Sequence, residues 1–239
     1  MTVDLEPDLG SNQCQSMHTI VPKLLDLFDE HKIKATFFTV TSLLEKYESE
    51  IKAIAKKHEI AAHSHTHHWL NPVNAEWEIK KSKEVLGEHG IKCQGFRAPG
   101  FITTKNHLEL LRENGYTYDS SFAKFFPGRY RNLALPGKPF QRDGITVFPM
   151  PAMVYPAINS GLPYLKLFHP FSRVFPKPYM FYLHPWEFLE KKDLPPSRSI
   201  LSSLLQRNTG EKAGAILQKY IERTGGKWIS CEEWMKLNP

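Results

Sequence analysis

His63-Ser64-His65-Thr66-His67 places two imidazoles, His63 and His67, four residues apart. On a helical turn this spacing puts both on one face, where they can share one ion. A second group of ligand type opens the chain, Asp4-Leu5-Glu6-Pro7-Asp8. Two histidines plus one carboxylate, with a position left for water, are a frequent ligand set of catalytic zinc. The sequence thus offers a full donor set for a divalent metal ion, zinc first. A histidine run on a solvated loop is the competing explanation, because an isolated pair at this spacing is usually not a metal site. The setting argues against it. Glu59-Ile60-Ala61-Ala62 has the character of a short buried strand, and the histidines follow at once. Strand C-termini are where α/β proteins build their sites.

The elements that must position these groups are legible from periodicity. Strands are predicted at Met1 to Asp4, 35–40, 59–62, 95–97, from Tyr116, at Ile145 to Phe148, Pro178 to Leu183, and 227–229. Helices are predicted over Thr19 to Glu30, Leu43 to Lys57, Asn74 to Glu88, Thr104 to Asn114, Ser199 to Arg207 and Glu211 to Arg223, with a terminal turn over Glu232 to Leu237. Asn74 is a candidate cap and Gly115 a candidate stop. Alternating strands and helices imply βα units, a parallel sheet and right-handed crossovers. From Phe122 to Pro176 prolines and aromatics break the rhythm, and this irregular insertion is expected to shape a binding cleft. The polar residues at predicted strand ends are Asp4, Glu6, His63, His67, Arg97, Asp119 and His184. In a closed or nearly closed parallel barrel these ends converge on one face.

A chain of 239 residues suits one α/β domain, and no linker divides it, so residues 1–239 are expected to form a single domain. Three widely spaced cysteines argue for free thiols rather than a disulfide framework. The net charge of +6 is spread along the chain, which suits anionic headgroups, phosphorylated sugars or nucleic acid as weak partners. No nucleic-acid-binding signature is present, so no specific nucleic-acid partner is expected. The N-terminal Met-Thr-Val-Asp lacks the character of a leader, and the expected location is cytoplasmic, at or beside a membrane surface.

Five ordered motifs carry a family resemblance over nearly the whole chain. They are Ala35-Thr36-Phe37-Phe38, His58-Glu59-Ile60 running into His63 and His67, Arg97-Ala98-Pro99-Gly100, Tyr118-Asp119-Ser120-Ser121, and Leu183-His184-Pro185. Together they resemble the polysaccharide deacetylase family, the NodB-homology domain of carbohydrate esterase family 4. The resemblance implies a deformed (β/α) barrel, usually of seven parallel strands, and metal-dependent removal of N-acetyl groups from amino sugars. It implies a divalent ion held by His63, His67 and a carboxylate. Asp4 would be the general base, paired with Arg97. His184 would be the general acid, paired with Asp119. The backbone N–H of Gly100 would face the oxyanion, and Leu183 would line the acetyl pocket. Trp186 and Trp69 either stack on sugar rings or pack. The first motif departs from the usual adjacent aspartates, since Leu5 follows Asp4. Strand alternation puts Asp4 and Glu6 on one side, which favours Glu6 as the third ligand, with Asp8 as its rival.

The remaining histidines receive plainer readings. His58 packs or caps at a strand start, and His65 and His68 are loop or pocket-wall residues. His18, His31, His89, His107 and His169 are read as surface groups. The expected partner is an N-acylated amino-sugar glycan, polymeric, lipid-linked or nucleotide-linked. A metal-free, deformylase-like or allantoinase-like amide hydrolase is the second reading. A catalytically silent glycan-binding protein is the third.

Overall fold

Thr2–Leu5 (β1) alternates polar and apolar side chains, and all four are buried. Such a strand needs cover on both faces, one of them able to satisfy polar groups. A computed structural model describes residues 1–126, 130–132, 134–154, 158–197 and 199–238. After β1 come α1 (Ser16–Thr19), α2 (Val21–Glu30), β2 (Thr36–Thr39), α3 (Leu44–Ala55) and β3 (Glu59–Ala62). Next are α4 (Ala75–Glu88), β4 (Gly95–Phe96), α5 (His107–Glu113) and β5 (Tyr118–Asp119). The irregular middle holds short strands: β6 (Phe125–Phe126), β7 (Tyr130–Arg131), β8 (Phe140–Arg142), β9 (Ile145–Val147), β10 (Ala152–Val154) and β11 (Ile158–Asn159). The chain continues with α6 (Leu162–Leu167), β12 (Tyr182–Leu183), α7 (Ile200–Leu205), α8 (Glu211–Thr224) and α9 (Cys231–Leu237).

Eight strands form one sheet in the order β12-β1-β2-β3-β4-β5-β9-β8. The first seven in that order run parallel, and β8 adds an antiparallel edge on β9. Among the described residues no pairing joins β12 to β8, so the barrel is deformed and open there. The expected architecture is therefore present.

Side-chain parity divides the sheet. Register links Asp4 to Phe38 and Ala61, and Thr2 to Tyr182, so these share one face, the inner one. Val3, Leu5, Phe37, Ile60, Phe96 and Leu183 take the other face and pack with the helices in one apolar cluster that runs from Met1 to Trp228. A smaller cluster fills the inner face, including Phe38, Ala61, Tyr118, Phe148, Met180 and Tyr182. Gly95 is required here, because a Cβ at this position would overlap the Tyr118 ring. Gly95→Ala is expected to cost about 1–3 kcal/mol through overpacking, read as a lowered midpoint in urea unfolding.

α9 closes the barrel at the N-terminal ends of the strands. Its first two N–H groups donate to Thr36 Oγ1 (2.8 Å) and Glu59 Oε2 (2.9 Å), and Trp234 packs edge-on against Phe148. Burial raises Glu59 above the usual carboxylate range, against the pull of its bonds from Tyr118, Thr36 and the Glu232 N–H.

Several expectations change. Residues 227–229 form no strand; Trp228 only lends its carbonyl to Lys34 N–H. Asn74 makes no capping bond to α4 and instead accepts from Asn71 N–H. The expected strand at Pro178 to Leu183 is regular only at its last two residues. Pro127 and Pro156 of the irregular segment lie outside the described residues. No helix among the described residues is long and apolar enough to cross a membrane.

Candidate active site

Parity on β1 carries Asp4 and, just beyond the strand, Glu6 to the mouth of the inner face. Asp4 is 2% exposed and its Oδ1 lies 2.5 Å from Arg97 Nη1. Arg97 is fully buried. It also donates to Thr2 Oγ1 (3.0 Å), Ser120 Oγ (2.9 Å) and the Ser120 carbonyl (3.3 Å), and stacks 4.0 Å over Phe38. A buried guanidinium with this many acceptors is a fixed fork, so Asp4 is held in one orientation.

Glu6 Oε2 lies 3.5 Å from His63 Nε2 and 2.6 Å from His67 Nε2. One donor atom from each of Glu6, His63 and His67 lies within 4.8 Å of the others. His63 follows β3 directly, and its Nδ1 is 2.7 Å from the Arg97 carbonyl. A carbonyl can only accept, so Nδ1 carries the proton and Nε2 offers its lone pair. His67 Nε2 is buried and makes no hydrogen bond despite its closeness to Glu6. Burial pushes Glu6 up, but the charges of His184 and His67 and the close approach of both site histidines outweigh it. The carboxyl is left well below its usual range. Burial pulls His67 down, and the Glu6 carboxylate overcomes this and raises it. Two imidazole nitrogens and an ionised carboxylate facing one point fit a divalent cation.

The histidines do not sit on a helical turn, contrary to expectation. They lie on a loop in which Ser64 and His67 both have positive φ (63° and 66°). His67 N–H donates to Ser64 Oγ, and the loop's N–H groups at His65 and Thr66 donate to Glu78 Oε2 at 2.8 and 2.9 Å. Glu78, buried on α4, is a loop anchor that periodicity did not single out.

His184 follows β12 on the inner face. Its Nε2 is 3.9 Å from Asp4 Oδ2 and 3.8 Å from Glu6 Oε1. Its Nδ1 is 3.1 Å from Glu187 Oε1, and Glu187 Oε2 is 2.9 Å from Lys166 Nζ. Burial lowers His184, but Glu6, Glu187 and Asp4 together raise it to about 9. Burial pushes Glu187 up, and Lys166 and His184 bring it below its ordinary value.

Two assignments are corrected by parity. Asp119 pairs in register with Phe96 and Val147, on the helix side of the sheet. There it accepts from Ser121 and faces His107 Nε2 at 2.9 Å, so it does not support His184. Glu187 holds that position instead. His107, expected at the surface, is 1% exposed. Leu183 likewise points into the helix-side core, and Tyr182 is the strand residue on the face of His184, with ring centroids 5.4 Å apart.

Trp186 is packed rather than open to a sugar: it is 2% exposed, stacks on His184 and donates to Glu6 Oε1 at 3.2 Å. Asp8 turns away from the histidines and accepts from Gln15 N–H, Ser16 N–H and Ser16 Oγ. Gly100 lies in the turn after β4 with φ 58°. His58 accepts from Ala35 N–H and packs on Phe28 and Phe37, as expected. Glu187 had a weak signal, an acid three residues after His184. Lys166 had only its place as a lone charge in an apolar run.

A seven-stranded parallel barrel carrying an imidazole–carboxylate donor set at its strand ends is the class of protein that fold and site define. Residues 1–118 match the polysaccharide deacetylase family model. A peptidoglycan-N-acetylglucosamine deacetylase of Bacillus cereus is 34% identical over 121 residues, 48% of this chain and 41% of that protein. A peptidoglycan deacetylase of Helicobacter pylori is 31% identical over 106 residues, 42% of this chain and 36% of that protein. The match thus spans less than half the length of either relative. A protein assigned to the polysaccharide deacetylases of Mycobacterium smegmatis superposes with a TM-score of 0.63 at 16% identity, over 99% of this chain and 89% of that one, which is a likeness of fold. The family model thus covers 118 of the 239 residues, just under half of the chain, and the likeness to that family is carried by β1 to β5.

Proposed function

We propose that this protein is a hydrolase that removes the N-acetyl group from an amino sugar of a glycan, using a divalent cation held by Glu6, His63 and His67. The observation that carries this reading is the meeting of those three donors beside Asp4 and His184. A cation there would supply Lewis acidity, polarising the amide carbonyl and acidifying water. Two imidazole donors favour zinc over harder ions.

The residues divide the proton work. Asp4, oriented through Oδ1 by Arg97, presents Oδ2 to the site and would take a proton from the attacking water. His184, raised to about 9, is protonated at neutral pH and would give its proton to the departing amine. The backbone N–H of Gly100 is assigned to the developing oxyanion. Tyr182, rather than Leu183, would border the acetyl group. Trp186 and Glu187 hold the imidazole of His184 from two sides.

The name of the Bacillus cereus relative supports N-acetylglucosamine as the sugar, and both names support peptidoglycan as the kind of glycan. The need for β1 and β12 in one site supports a single domain over residues 1–239. The test joins metal content to acetate release from N-acetylglucosamine oligomers. Glu6→Ala is expected to lose bound zinc under dialysis and to release acetate only at background rate. Equal rates for the untreated and chelator-stripped protein would sink the cation-dependent reading. Full zinc binding without turnover would favour the silent glycan-binding reading.

A further inference from the structure

The sequence spreads its positive charge along the chain, yet folding gathers part of it on one side of the barrel. A groove of about 400 Å³ lies between α6, the turn Phe171–Val174 and α8. Leu165, Ile216 and Tyr220 form its apolar floor, and Arg173, Lys212, Lys219 and Arg223 stand on its rim. Among the described residues no acidic one lines it. Among the described residues Arg173, Lys212 and Lys219 make no ion pair, so their charge is available to a partner. Beside them Phe171 and Val174 are 79% and 82% exposed, and Ile200 and Leu201 of α7 are also exposed. α6 touches the turn, α7 and α8, so the apolar and basic groups come from neighbouring elements.

We propose that this face docks the protein on an anionic lipid surface. Projecting apolar side chains ringed by Lys and Arg are the chemistry that enters the headgroup–acyl boundary. Charge of one sign asks for an anionic partner. A two-fold pairing of this chain through the same face would set these cations against their own copies. A soluble phosphate would use the cations but not Phe171 and Val174. The proposal uses no residue of the candidate active site and stands apart from the deacetylase reading.

The experiment is co-sedimentation of the full chain with phosphatidylcholine vesicles, with and without phosphatidylglycerol. Binding is expected only with phosphatidylglycerol and is expected to weaken with salt. Each Lys or Arg near such a surface is worth roughly fivefold in partitioning, so Lys212→Gln with Lys219→Gln should weaken binding about 25-fold. Phe171→Ser with Val174→Ser should weaken it about tenfold or more. These substitutions are on the surface, so unchanged thermal midpoints are expected to show that both variants fold. Acetate release from a soluble oligomer should be unchanged in both, which keeps a failure here distinct from a failure of the hydrolase reading. Absence of binding, equal binding to phosphatidylcholine alone, or unchanged binding by both variants would overturn the proposal. So would a dimer that Phe171→Ser dissolves while vesicles are ignored.

Discussion

A His184→Gln variant is expected to release acetate from an N-acetylated amino-sugar oligomer about 10²–10⁴-fold more slowly than the unaltered protein. An amine leaves poorly unless it is protonated, and His184 is the one imidazole of the site held charged by a carboxylate behind it. Glu187 touches its Nδ1 at 3.1 Å while Nε2 faces the space between Asp4 and Glu6. Glutamine keeps polarity and length but cannot deliver that proton. The control is an aryl acetate ester, whose phenolate departs without protonation. Its hydrolysis should fall far less than that of the amide. An equal fall on both substrates would remove His184 from the role of acid and leave it a structural one.

Replacing Lys166 by Met should destabilise the fold by about 3–5 kcal/mol in chemical unfolding, because it strands a buried carboxylate. Lys166 and Glu187 are 1% and 0% exposed, and their charged atoms are 2.9 Å apart. His184 remains against Glu187 and softens the loss, which places the expected value near the lower bound. Removing both charges, Lys166→Met with Glu187→Gln, should recover much of that stability, since the cost lies in the unpaired ion rather than in the missing pair. The double variant should nonetheless remain slow on the amide substrate, as His184 then loses the Glu187 carboxylate that orients it and helps hold it charged, and keeps only Glu6 and Asp4. A cost below about 1 kcal/mol for the single variant would mean that water reaches Glu187, and the pair would have to be reckoned as an exposed one.

The first half of the chain was legible because its signals are local. β2 and β3 show as buried β-branched or apolar runs, and Asp4, His63, Arg97 and His184 stand where those runs stop. Glu6 over Asp8 also followed from alternation on β1, and the structure brings Glu6, not Asp8, to the histidines. Asp119 and Leu183 failed for one shared reason. Each is one residue out of phase with its inner-face neighbour, Ser120 or His184, and a one-residue offset sends a side chain to the opposite side of a sheet. The loop of His63 and His67 was read as helical because spacing cannot reveal two left-handed residues or the Glu78 anchor. Lys166 and Glu187 meet across 21 positions of an irregular segment, where no periodicity links one to the other. The gathered cations of the α6–α8 groove were invisible for the same reason, since they come from two distant stretches.

The barrel's plug has a bearing on how the molecule is made. α9 grips Thr36 across 195 positions, and β1 finds its outer neighbour only in β12. The proposed base and acid therefore sit on strands whose pairing must await synthesis through β12. A nascent chain released early can present the histidine loop but not a completed centre. The proposed hydrolytic competence should consequently arise only once β12 and α9 have been made and docked onto the earlier strands.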